Sequence, residues 1–69
     1  MKIEEGKSYE MPRGKVNIKI TKICPPGEGM ASPDFQRVWE ENLTGKRVGH
    51  RRWESLTYLN ATVVRELKQ

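Results

Sequence analysis

"KVNIKITKI", residues 15 to 23, sets Val16, Ile18 and Ile20 against Lys15, Asn17, Lys19 and Thr21 in alternation. A period of two sends the two sets to opposite faces of an extended chain, which predicts a strand with one face on a core and a basic face in water. The β-branched content agrees, and the spacings of three and four that an amphipathic helix needs are missing. Ile23 falls out of phase, so a twist or bulge is expected near Thr21. Upstream, "GKSYEMPRG" reads as a short strand around Ser8 to Met11 and a turn at Pro12-Arg13-Gly14. Downstream, "CPPGEGMASPD" holds three of the four prolines and two glycines, which predicts a long loop over residues 24 to 34.

"FQRVWEEN", residues 35 to 42, is a second clear strand. "LTG" then turns the chain and "KRVGHRRW" returns antiparallel, giving a hairpin from about Gln36 to Trp53. Val48 and Trp53 lie five positions apart, so a regular strand would point them to opposite faces; a bulge at Gly49 would put both in the core, and that bulge is expected. The last segment, "ESLTYLNATVVREL", supports two readings. Leu56, Leu59, Val63 and Leu67 fit one continuous helical face. Thr57, Thr62, Val63 and Val64 are β-branched and Asn60 favours a turn, which gives instead one helical turn from Ser55 to Leu59 and a closing strand from Thr62 to Leu67. The second reading is preferred.

Five short strands, one long loop, one hairpin and a helical turn before the last strand make an all-β chain. In that order it resembles the SH3-like barrels, including Tudor-like and KOW-like domains and many small barrel proteins of bacteria and their phages. The resemblance is carried by "GKSYEMPRGKVNIKI" and "GKRVGHRRWESLTYLNATVVREL" and covers residues 6 to 67. It implies a small five-stranded barrel that serves as a binding module. The further glycine-rich turn of a KOW segment is missing, and no binding residue is carried over from the family.

The 69 residues form one domain, residues 1 to 69, near the lower size limit for independent folding. With 35% hydrophobic and 32% charged residues the core is thin, so a partner or a second copy would help to complete it. No apolar run approaches membrane-spanning length, and "MKIEEGKSYEMP" lacks the apolar stretch of a signal peptide, so a cytoplasmic protein is expected. Cys24 is the one cysteine and His50 the one histidine, too few for a zinc site or a disulfide, and no cofactor or metal is expected. Nor is catalysis expected. Cys24 sits before two prolines with no orienting partner in sequence, "PPGEG" lacks the lysine and helix of a phosphate loop, and Glu40 and Glu41 are adjacent, hence on opposite faces of a strand. The two glutamates read as solubilising charges.

A net charge of +4 directs attention to polyanions. Lys15 and Lys19 are predicted on the wet face of the first long strand, with Arg13 just before them. Lys46, Arg47, Arg51 and Arg52 belong to the returning arm of the hairpin, with Arg52 outward and Arg51 on the Val48–Trp53 side at its rim. If the two ribbons lie side by side they form one patch for phosphate contacts; otherwise they are solvated strand faces that oppose edge aggregation. Phe35, Arg37 and Trp39 share a face opposite Val38. With Val38 inward, Phe35 and Trp39 become stacking groups around an arginine; with Trp39 inward they are core, the preferred reading for a chain with few large residues. The leading expectation is a small nucleic-acid-binding accessory or regulatory protein, DNA or RNA unspecified. The alternative is a protein-binding adaptor or inhibitor using the 24–34 loop with Met30, Phe35 and Trp39. A homo-oligomer through exposed strand edges fits either.

Overall fold

The computed structural model describes residues 1–12, 14, 16–29 and 34–68; Arg13, Lys15 and Met30, on which part of the expectation rests, lie outside the described residues. The chain forms β1 (Ser8–Glu10), β2 (Asn17–Ile23), β3 (Arg37–Asn42), β4 (Arg51–Ser55), α1 (Leu56–Thr62) and β5 (Arg65–Leu67). The strands make one antiparallel sheet of five in the order β4-β3-β2-β1-β5, with β4 and β5 at its edges. The sheet is not closed.

In β2 the alternation does what its period requires: Ile18 and Ile20 are fully buried and Lys19 is exposed. The register then slips. Ile20 faces Glu40, Lys22 faces Trp39, and Thr21 is left between them as the expected bulge, its hydroxyl donating to the Trp39 carbonyl oxygen at 3.1 Å. That extra residue restores the phase, so Ile23 comes opposite Val38 and packs on the core side.

The core joins Ile18 and Ile20 to Tyr9, Met11, Val38, Leu59 and Val63. Ile3 also belongs to it, although nothing in the pattern singled it out. The N-terminal segment is held by the Asn60 side chain, whose Oδ1 accepts from the Ile3 N–H at 2.9 Å, and by the Tyr9 hydroxyl, which accepts from the Glu4 N–H at 2.7 Å.

Between β4 and β5 the structure follows the helix-then-strand reading. Ser55 caps α1 by accepting from the Tyr58 N–H at 3.1 Å, and Leu59 is its buried residue. The helix runs to Thr62, further than the single turn expected, and then the β-branched run Thr62-Val63-Val64 exits it. The Val64 N–H donates to the Glu10 carbonyl at 2.8 Å and leads β5 onto β1. A continuous C-terminal helix is thereby ruled out.

The hairpin corrects the sequence reading. Residues 43–50 are a wide turn and β4 begins only at Arg51, but the expected bulge at Gly49 is present where the two meet: Gly49, with φ +85°, and His50 both oppose Asn42. Asn42 closes the ladder against both, its N–H donating to the His50 carbonyl at 2.9 Å and its carbonyl accepting from the Gly49 N–H at 2.8 Å, so that residues 46–48 lie beyond the pairing. Val48 is 65% exposed and Trp53 44%; neither is core. Val48 lies in the turn ahead of the bulge and so sets no face for Trp53, whose outward direction comes from its pairing with Trp39.

Leu59→Ala removes the helix's sole buried anchor and is expected to lower stability by about 2–5 kcal/mol, whereas exposed Val64→Ala stays within roughly 0.5 kcal/mol. Urea denaturation checks both; equal losses would contradict the assignment of α1 to the core.

Candidate aromatic and basic interface

The site begins with the parity of β3. Val38 and Glu40 are fully buried, so Arg37, Trp39 and Glu41 take the opposite face. The preferred reading of Trp39 as core is therefore overturned, and the outward alternative holds. Across the ladder Trp53 stands directly opposite Trp39. The Arg37 guanidinium carbon lies 5.8 Å from the Trp39 ring centre and 6.0 Å from that of Trp53, within cation–π range of both. Its Nε is buried and has no hydrogen-bond partner. Phe35, just ahead of the strand, is 47% exposed.

The described part of the loop before β3 closes over this arginine. Cys24 N–H donates to the Arg37 carbonyl at 2.9 Å, Gly27 N–H to the Phe35 carbonyl at 2.6 Å, and Gln36 Nε2 to the Cys24 carbonyl at 3.2 Å. Gly29 then approaches so closely that a Cβ there would stand 2.5 Å from an Arg37 terminal nitrogen, and its φ of +70° is one that only glycine adopts freely.

The register also lays out the neighbouring charges. Next to the pair of tryptophans in the Trp53–Trp39 row stands Lys22; the adjoining row is Arg51, Glu41, Lys19. Arg51 Nε lies 3.0 Å from Glu41 Oε1, an exposed pair of small energetic worth. Lys46 and Arg47 project from the exposed wide turn. Arg52 does not join them. It sits on the core-side face, not outward as expected, with its Nε 3.4 Å from Oε2 of Glu40. The cations are thus not one uninterrupted ribbon: a carboxylate interrupts the outer row and Arg52 is turned away. Arg37, Trp53 and Lys22 enter the site without having been chosen as binding residues. The signal for Arg37 was its parity with Trp39; Trp53 was hidden by the misplaced start of β4.

Glu40 is the correction with most consequence, being a fully buried carboxylate rather than a solubilising charge. Its Oε1 has no hydrogen-bond partner, nor has the buried Oδ1 of Asn42 on the same side of the strand. Burial pushes the Glu40 carboxyl above the ordinary value, and the adjacent Arg52 guanidinium pulls it down without overcoming that effect. Arg52, Glu54 and Tyr58 border a cleft of about 440 Å³ facing the β1–β2 turn at Met11 and Val16.

Cys24 is buried and His50 exposed, and among the described residues no group of three or more His, Cys, Asp or Glu is placed to hold a metal ion. No helix among them is long and apolar enough to cross a membrane. Comparison of the chain with family models, curated proteins and solved structures returned no match.

Gly29→Ala should displace the guanidinium from the indoles and strain the loop, costing about 1–3 kcal/mol and changing tryptophan emission; unchanged emission would contradict the placement of Arg37 beside the rings. Because its folded pKa is raised, Glu40 favours folding most when it is protonated, and that contribution is lost as pH rises through the folded value. Glu40→Gln, which never ionises, should therefore gain stability relative to the parent between a pH below 4.5 and neutrality, measured by urea denaturation. A constant difference would place Glu40 in water.

Proposed function

We propose that this chain is a non-catalytic nucleic-acid-binding module of SH3-like type, an accessory or regulatory protein that stacks unpaired bases on Trp39 and Trp53 and holds phosphates with neighbouring cations. The observation that carries the reading is the pair of indoles on the outer face of the sheet, Trp53 exposed and Trp39 half-buried, with Arg37 within cation–π range of both. Base–indole stacking is worth about 1–3 kcal/mol per base and tolerates any sequence, because every base has a π face. Lys19, Lys22 and Arg51 flank the rings, Lys46 and Arg47 extend the positive charge along the hairpin tip, and Phe35 is a further exposed ring. Arg13 and Lys15 belong to the reading on their sequence position alone, and Arg52 is left out because it faces Glu40. The SH3-like assignment is supported by the strand order and by the helix between β4 and β5.

A second reading has one observation in its favour. Tryptophan with arginine, beside an exposed Phe35, is also the composition of a protein-binding hot spot, as in an adaptor or inhibitor.

Fluorescence anisotropy of labelled single- and double-stranded oligonucleotides at two salt concentrations tests the proposal. The expected result is preference for single strands, an affinity that falls with salt, and a loss of about 5- to 150-fold for Trp53→Ala. Replacing Lys46 and Arg47 by glutamate should flatten the salt dependence. Absence of binding at low salt, or binding indifferent to Trp53→Ala, would overturn it.

A further inference from the structure

The ladder between β3 and β4 leaves a specific pattern on the open edge of β4. Asn42 N–H donates to His50 C=O at 2.9 Å and Leu56 N–H to Gln36 C=O at 3.0 Å. In an antiparallel pair the residues that exchange hydrogen bonds alternate with those that do not. His50, Arg52 and Glu54, with the Leu56 N–H, therefore face β3, and Arg51, Trp53 and the Ser55 N–H turn away from it along the sheet edge, the Ser55 C=O being taken up by the first turn of α1.

A strand added antiparallel to that edge must set outward residues against outward residues. For a second copy of β4, two-fold symmetry then permits three central registers. A two-fold at Arg52 sets Arg52 against itself, and one at Glu54 sets Glu54 against itself. A two-fold at Trp53 opposes Trp53 to Trp53, Arg51 to Ser55 and, twice over, Arg52 to Glu54. The segment "RRWES" is thus complementary in charge to its own reverse in one register alone. The Arg52–Glu54 positions are the ones that do not exchange backbone bonds, where facing side chains come closest. Arg52 meets Glu40 through its Nε, so the terminal nitrogens of its guanidinium can reach a carboxylate across the interface. The opposite edge, β5, spans only Arg65–Leu67, and a two-fold at its centre would set Glu66 against itself.

We propose that β4 is a dimerisation edge, occupied by a second copy of this chain running antiparallel about Trp53. The two five-stranded sheets then continue into one another, the outward amides of Arg51, Trp53 and Ser55 find partners, and the indoles of both copies meet on a single face. This follows from the ladder phase and the charge order and holds whether or not the chain binds nucleic acid.

Sedimentation equilibrium of the full chain without nucleic acid, over a wide concentration range, is the test. A reversible monomer–dimer equilibrium is expected, and Glu54→Arg should weaken it about tenfold or more by opposing like charges at two positions. Circular dichroism confirms that the variant is folded; Glu54→Gln, with no new charge, should weaken the dimer less. Register is read by cysteine cross-linking, with the buried Cys24 left in place. Trp53→Cys should form a disulfide with its own copy under mild oxidation, whereas Arg51→Cys, which faces Ser55, should not. A chain that stays monomeric throughout, a dimer unmoved by Glu54→Arg, or cross-linking at position 51 as efficient as at 53 would each overturn the proposal.

Discussion

The inward turn of Val38 and Glu40 governs the rest of this molecule. A strand paired on both sides has one choice of face, and a slip by one residue exchanges every side chain. With Val38 inward, β3 hides one apolar residue and one carboxylate; with the faces exchanged it would hide Arg37, Trp39 and Glu41, two charges and a bulky ring. Burying an ion costs several kcal/mol even after relaxation, against roughly 1.5–3 kcal/mol gained from a buried valine. The observed parity is the less costly one, and it is tenable because Arg52, directly across on β4, reaches Glu40 from the cleft side. The pair is better understood as fixing register than as adding stability.

From that parity the outer face follows. Trp39 has no place in the core; it stands opposite Trp53 in the ladder, with the Arg37 guanidinium within cation–π range of both rings and the loop at Gly29 closing over the arginine. Two of the largest side chains in a small protein therefore remain at the surface, while the interior is filled by isoleucine, leucine, valine and a tyrosine whose hydroxyl receives a backbone amide. Leaving indoles on a strand at the edge of a sheet exposes that edge to association, and the charge order of β4 restricts which partner fits there.

Much of the β framework was legible because it rests on local periodicity. The alternation of Val16, Ile18 and Ile20, and the misfit of Ile23 that marked the bulge at Thr21, need no tertiary information. Ser55 ahead of a short helix and the β-branched run after it were likewise readable. What escaped depended on contacts distant in sequence. Ile3 is buried because Asn60 holds the N-terminal segment, Trp53 is exposed because β4 starts at Arg51, and Glu40 is buried because Arg52 stands across from it. Large residues are scarce in this chain, yet strand parity, set by the buried Val38 and Glu40, keeps Trp39 out of the core. The basic face was legible as residues but not as a surface, since Glu41 entered the outer row and Arg52 left it.

The central claim is that both indoles lie on the outer face of the sheet beside a cation, Trp53 exposed and Trp39 half-buried. Iodide quenching of intrinsic fluorescence, in the parent and in Trp39→Phe and Trp53→Phe variants, tests it most directly, because the anion is drawn to Arg37 and Lys22. The account predicts red-shifted emission that iodide quenches in all three proteins, with Trp53 the more accessible of the two. Blue-shifted emission that iodide does not reach would put the tryptophans in the core and contradict it.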